Sequence, residues 1–178
     1  MRPKKSSNKL AILNPEHLLE QAEKLIKAPP AGPPRQVDLR RAISAAYYAA
    51  FHAVLTAAAD LYVGAVNRTT NRYAVVYRSV EHRELRDLCG KIKGSAAPGR
   101  LAQYVPQNKF DDETRTFTGL LLDLQEKRLD ADYNPSIRLR TSDARLAITI
   151  ARNAIGRLKD AKPESREAFL TLLLFRVR

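Results

Sequence analysis

The chain has one cysteine, Cys89, and no tryptophan among its 178 residues. A single thiol forms no intrachain disulfide, and this scarcity is typical of proteins of the reducing cytosol. One cysteine and three scattered histidines also lack the spacing of a metal site. No glycine-rich phosphate-binding loop is present, because Gly94 and Gly99 stand apart. The sequence therefore predicts a domain without a metal or other cofactor.

Acidic residues are also few: the chain has 19 Asp and Glu against 31 Lys and Arg, which gives a formal net charge of +12. Such an excess favours polyanionic partners, namely nucleic acid, nucleotides or an acidic protein. The basic residues are spread along the whole chain, so a generally arginine-rich proteome explains the excess equally well. The charge by itself leaves both explanations open.

Long runs of large aliphatic residues are missing, and no cleaved signal peptide is predicted at the basic N-terminus. The most apolar segment, residues 42–59, carries no formal charge but is rich in alanine. Arg40, Arg41 and Asp60 bracket it closely, which is unusual for a membrane span. We interpret it as a buried core helix, and we expect a cytoplasmic protein with no membrane partner.

Helical spacing of apolar residues predicts an all-α fold, an up-and-down bundle of about five to six helices without strands. The first helix is capped by Asn14, with Pro15 at its first position, and the second by Asp38. The others are predicted over about 73–92, from Asp111 or Asp112 to about 133, from 141–143 to about 158, and from 163 onward. Residues 64–70 and 94–109 are predicted as a turn and a loop.

The domain organisation is predicted from proline and charge. Residues 1–13 are expected to be a basic disordered tail, and residues 14–161 the bundle, with a proline-rich connector at 29–36. Residues 162–178 add a C-terminal helix, in which Leu170, Leu172, Leu173, Leu174 and Phe175 crowd into six positions. One helix would not bury all five against a single neighbour, which predicts a homodimer.

Two groups of polar residues share helical faces. Arg41, Tyr48 and His52 are spaced seven and four apart on the central helix. Arg128 and Asp132 are four apart near the end of the fourth helix, next to Tyr133. These six residues form either a ligand-binding site or a polar network that fixes helix register. We expect Arg41 and Asp132 to pair, because charged groups beside a core are normally paired.

A second candidate surface lies on the predicted third helix. Tyr77 stands between Arg72 and Arg78, and aromatic rings interleaved with arginine stack and clamp single-stranded RNA. The alternative is that Tyr77 packs partly into the protein.

Two separated segments carry a recognisable pattern. The first segment, Arg-x-x-Ser-x-x-Tyr-Tyr-x-x-Phe-His, contains Arg41, Ser44, Tyr47, Tyr48, Phe51 and His52. The second, Arg-x-x-Ala-Asp-Tyr-Asn-Pro, contains Arg128, Ala131, Asp132, Tyr133 and Pro135. Together the two segments resemble the stand-alone bacterial branch of the HEPN superfamily, over about residues 37–161.

This resemblance implies an up-and-down bundle, often dimeric, with a cytoplasmic role near nucleic acid or nucleotides. It also implies a frequent nucleotidyltransferase partner in toxin–antitoxin or defence systems. Many HEPN proteins are metal-independent ribonucleases with an arginine, four to six spacer residues and a histidine. That pattern is absent here. The positions five to seven residues before His52 are occupied by Tyr47, Ala46 and Ala45, and none of them is an arginine. After Arg128, the position of the expected histidine is occupied by Tyr133.

The sequence thus predicts a HEPN-like module that binds RNA or nucleotide without a recognisable catalytic motif. One alternative is a divergent metal-independent endoribonuclease that uses His52 or Tyr133 with Arg41 or Arg128. The other is a non-catalytic protein-interaction partner, an antitoxin or scaffold, that binds through its last helix.

Overall fold

A computed structural model describes residues 12–27, 32–93 and 99–175. These ranges contain α-helices, short 3₁₀ turns and no strand, which confirms the all-α bundle. The helices are α1 (Pro15–Leu25), α2 (Gln36–Val63), α3 (Asn71–Tyr77), α4 (His82–Ile92), α5 (Asp112–Tyr133), α6 (Thr141–Asp160) and α7 (Pro163–Leu174). The predicted disordered tail, apart from its last two residues, and residues 29–31 of the proline-rich connector lie outside the described residues.

The long central helix α2 organises the bundle, since it packs against α1, α3, α5, α6 and α7. Several successive turns of α2 carry an alanine that is fully buried, and these small side chains let neighbouring helices approach closely. The helix begins at Gln36, after Arg35 as N-cap, so the predicted cap Asp38 is wrong. Asp38 instead lies in the first turn and pairs with Arg35, while Gly64, at φ 91°, ends the helix.

By length and composition, α2 is apolar enough to cross a membrane. Most of its apolar window is buried inside the bundle, however, and one such helix is also what the core of a helical bundle requires.

The predicted single helix over 73–92 is wrong, because the chain breaks into α3 and α4. Ser79 donates its hydroxyl to the Val76 carbonyl at 2.8 Å, a local bond that competes with helix continuation. Val80 then turns into the core, and Glu81 adopts an extended conformation before α4 begins. The break reorients α4, so that His82 faces α2.

Two predicted helix starts are confirmed by their hydrogen bonds. Asn14 accepts from the Glu16 amide at 3.0 Å, and Asp111 accepts from the Thr114 amide at 2.9 Å. Asp111 also accepts from the Lys162 amide at 2.8 Å, which ties the start of α5 to the start of α7.

The C-terminal helix buries most of its leucines, contrary to the expectation behind the homodimer. Leu170 and Leu173 are buried in the chain's own core, and Leu172 and Leu174 pack partly against it. Only Phe175 is exposed, at 56%, with its ring edge-on to Tyr62 at 5.4 Å between centroids. The assumption that one helix would not bury these residues is therefore wrong, and the homodimer stays a prediction.

Candidate functional site

The face of α2 that carries the first motif meets α3, α4 and the end of α5. Ser44, Tyr48 and His52 follow one another at four-residue intervals, so they lie on one face of the helix. Around them the structure gathers a set of polar aromatic and cationic side chains, which we call the Tyr–His–Arg cluster: Tyr47, Tyr48, His52, Tyr77, His82, Arg128 and Tyr133.

His82 lies at the centre of the cluster. Its ring stacks on Phe51 with 3.9 Å between centroids, and its Nδ1 is 2.8 Å from the Tyr47 hydroxyl. Burial raises the pKa of Tyr47, so this phenol remains protonated and shares one hydrogen bond with Nδ1. Burial, together with the nearby positive charge of Arg128, lowers the pKa of His82. His82 is therefore held neutral.

His52 repeats this arrangement one turn of α2 beyond Tyr48. Its Nδ1 is 2.7 Å from the Tyr77 hydroxyl, and the two rings stack at 5.9 Å between centroids. Burial raises the pKa of Tyr77, and burial followed by the proximity of His82 lowers the pKa of His52. Both histidines are thus neutral above about pH 6.5, and each shares a hydrogen bond with a phenol.

Arg128 projects from α5 into the cluster with its side chain only 18% exposed. Its guanidinium carbon lies 5.7 Å from the centroid of the Tyr48 ring and 5.3 Å from that of Tyr133. Nη2 donates to the Tyr48 hydroxyl at 3.2 Å. Nε is 2.7 Å from a carboxylate oxygen of Asp132, but its N–H points away from that oxygen, so the contact is an ion pair without a directed hydrogen bond.

Asp132 has a different partner from the one the sequence suggested. Its carboxylate accepts from the Ser44 hydroxyl and pairs with Arg128. Arg41 is exposed and forms no ion pair with Asp132, so the expected Arg41–Asp132 pair is wrong. The physical reason is that Ser44, one turn further along α2, already occupies the position facing Asp132.

The structure separates the three residues predicted as an RNA-binding patch. Tyr77 is half-buried and belongs to the cluster through His52, whereas Arg72 and Arg78 are exposed at the ends of α3. The exposed arginines thus flank the cluster at its α3 end, and Tyr133, 68% exposed, lies at its α5 end.

Arg40 is a residue whose role the sequence pattern did not reveal. Its guanidinium donates to the carbonyls of Ala131 at 2.6 Å, Ile137 at 2.7 Å and Asn134 at 3.0 and 3.1 Å. It thereby binds the C-terminal end of α5 and fixes the segment that carries Tyr133. A positive charge at this end also complements the helix dipole.

The neutral histidines predict a pH-dependent stability. In the unfolded chain both groups titrate at an ordinary pKa near 6.5, whereas the folded pKa values are lower. Below about pH 6.5 the unfolded state therefore binds more protons, and the free energy of unfolding falls. We expect urea unfolding to show this loss between about pH 7.5 and 5.5, and a double variant His52→Gln, His82→Gln to lose less.

The matched control for this pH experiment is His17→Gln, a change at an exposed histidine of α1. It should keep the wild-type pH dependence. An equal loss in wild type and double variant would contradict the buried neutral histidines.

The described residues contain no group of three or more His, Cys, Asp or Glu side chains that could hold a metal ion. Comparisons of the chain with models of protein families, with curated proteins and with solved structures found no match.

Proposed function

We propose that the Tyr–His–Arg cluster binds single-stranded RNA or a nucleotide, in a HEPN-like cytoplasmic module. The observation that carries the proposal is the pairing of an exposed aromatic ring, Tyr133, with the guanidinium of Arg128. Bases stack on exposed tyrosines, and arginine contacts phosphates or stacks on a base in turn.

The surroundings of Arg128 support this assignment. Among the described residues, its Nη1 has no hydrogen-bond partner, so the two N–H groups of that nitrogen remain for a phosphate. Exposed Arg41, Arg72 and Arg78 lie on the helices that build the cluster and add positive charge along its length. The net charge of +12 supplies long-range attraction for a polyanion.

We expect weak, salt-dependent binding of single-stranded RNA without cleavage. If about five phosphates are neutralised, the affinity should fall roughly as the 3.5 power of the salt concentration. Filter binding across a salt series measures this slope, and a gel of the same samples, with EDTA present, reveals fragments. Absence of retention at about 50 mM salt would exclude the binding proposal and favour the antitoxin or scaffold.

A divergent metal-independent endoribonuclease is the second candidate. It is favoured by one observation: two histidines and an arginine lie close together, so that after burial the proximity of His82 lowers the pKa of His52, and that of Arg128 lowers the pKa of His82. A neutral histidine is a competent general base, and a guanidinium stabilises charge on a phosphate in the transition state. RNA fragments formed in EDTA, and lost in both His52→Ala and His82→Ala, would establish this activity in place of binding alone.

The homodimer and a nucleotidyltransferase or other protein partner remain proposals. The exposed apolar surface of Phe175, at the end of α7, and Tyr62, on α2, supports a contact with another chain. We expect Phe175→Ser to convert a dimer to a monomer in light scattering at micromolar concentration. Its melting temperature should stay within a few degrees of wild type, because an exposed side chain contributes little to the fold. A wild-type monomer would refute this dimer.

A further inference from the structure

A cavity of about 800 Å³ lies on the bundle between the start of α1, the second half of α2, the end of α6 and the start of α7. The residues assigned to the Tyr–His–Arg cluster do not line it. Three successive turns of α2 form one wall through Ala53, Ala57 and Leu61, and Leu158 and Leu170 face them from α6 and α7. One side of the cavity is therefore aliphatic, while polar and charged residues complete its lining.

The lining selects the kind of ligand that fits. Among the described residues that line the cavity, the apolar ones are Ile, Leu, Ala and Pro, and none is aromatic. A nucleobase would have no ring to stack on, whereas an alkyl chain is stabilised by burial against any aliphatic surface. The composition of the wall thus favours a flexible aliphatic group.

Some charged residues of the cavity lining form ion pairs, and others do not. Asp60 is held by Arg68, with distances of 3.0 and 2.5 Å, and Glu16 is held by Arg152 at 2.7 Å. Two other lining cations, Lys159 and Arg166, form no ion pair among the described residues.

One nitrogen of Arg166 donates to the Lys159 carbonyl at 3.1 Å, which fixes the guanidinium close to the backbone of Lys159. Glu167 is the one lining carboxylate without an ion pair in the described part of the chain. The lining thus has three carboxylates and three cations, and Lys159 and Arg166 are its two cations without an ion pair in the described part of the chain.

We propose that this cavity binds a linear aliphatic carboxylate. The alkyl chain lies along the wall formed by Ala53, Ala57 and Leu61, and the carboxylate pairs with Arg166 and Lys159. The start of α7, where Arg166 stands, carries the positive end of the helix dipole and adds to the attraction. This proposal is independent of RNA binding at the cluster.

Isothermal titration of the full chain with decanoate tests the site. We expect saturable binding of one molecule per chain. Hexanoate, four methylenes shorter, should bind roughly a hundredfold more weakly, because each buried methylene contributes to affinity. Decyltrimethylammonium has a tail one methylene longer, with a positive head, and should show no saturable binding. Equal binding of decanoate and decyltrimethylammonium, or no binding of decanoate at millimolar concentration, would overturn the proposal.

Variants locate the binding in the cavity. Ala57→Trp fills the space between the walls and should abolish decanoate binding, and Arg166→Met should weaken it about tenfold by removing a charged hydrogen-bond donor. Arg145→Met, at an exposed arginine of α6 outside the cavity, is the matched control and should bind as wild type. If Ala57→Trp fails to fold, the decanoate affinities of Arg166→Met and Arg145→Met still show whether the ligand binds in the cavity. Equal affinities in those two variants would place decanoate elsewhere. Arg166→Met is expected to retain RNA as wild type does. A failure of the decanoate proposal is therefore distinguishable from a failure of the RNA proposal.

Discussion

Replacing Arg40 by alanine is expected to lower the free energy of unfolding by about 3 kcal/mol. The guanidinium makes four hydrogen bonds to three backbone carbonyls at the end of α5 and in the following segment. Bonds from a charged donor are stronger than neutral ones, and alanine leaves those carbonyls without this partner. Urea unfolding followed by circular dichroism measures the change.

The neighbouring residue provides a matched control, because Arg41 is exposed and the described residues give it no ion pair or hydrogen bond. Arg41→Ala removes the same charge from the same helix and should change stability by less than about 0.5 kcal/mol. Arg40→Lys keeps the charge but not the planar fork, so it should recover only part of the loss. Similar stabilities of Arg40→Ala and Arg41→Ala would contradict the capping role of Arg40.

The different roles of Arg40 and Arg41 could not be predicted from the sequence, although the core face of their helix could. Apolar periodicity defines the core face of α2, so its buried positions, such as Ala46 and Val54, follow from spacing alone. Arg40 and Arg41 both lie off the regular apolar positions, and their roles depend on the chain after α5. That segment has no periodicity, so its carbonyls could not be placed against either arginine in advance.

The candidate site was predictable to a similar extent. Four-residue spacing on α2 and α5 indicated that Tyr48 and His52, and Arg128 and Asp132, share faces, and the structure joins Tyr48 to Arg128 directly. His82 was missed because its direction depends on the break between α3 and α4. The one local signal for that break was Ser79, a residue that often bonds to its own backbone.

The largest effect on RNA affinity is expected from Arg128→Met. Methionine retains much of the volume of the arginine stem, so the packing against Tyr48 is largely kept. The substitution removes the donor proposed to face a phosphate, together with the cation beside the exposed ring of Tyr133. Affinity for single-stranded RNA should fall at least about tenfold, and the salt exponent should decrease by about 0.7, because one phosphate is no longer neutralised. Filter binding across a salt series provides both values.

Two further variants separate charge from stacking at this site. Tyr133→Ala should lower the affinity about tenfold by removing a base-stacking surface while leaving the salt exponent unchanged, because stacking releases no counterions. Arg128→Lys should keep the exponent and recover only part of the affinity, since an ammonium lacks the planar face and fork of a guanidinium.

Lys24→Met is the matched control for charge, because Lys24 is exposed on α1, a helix that contributes nothing to the cluster. It lowers the net charge by the same single unit as Arg128→Met, so it measures the nonspecific contribution of that unit. If RNA binding depends only on the overall excess of basic residues, the two variants should lose affinity equally. A larger loss in Arg128→Met and Tyr133→Ala, with melting temperatures near wild type, places the RNA on the Tyr–His–Arg cluster. Equal losses would remove the cluster from the binding surface and leave the two buried histidines with a purely structural role in joining α2 to α3 and α4.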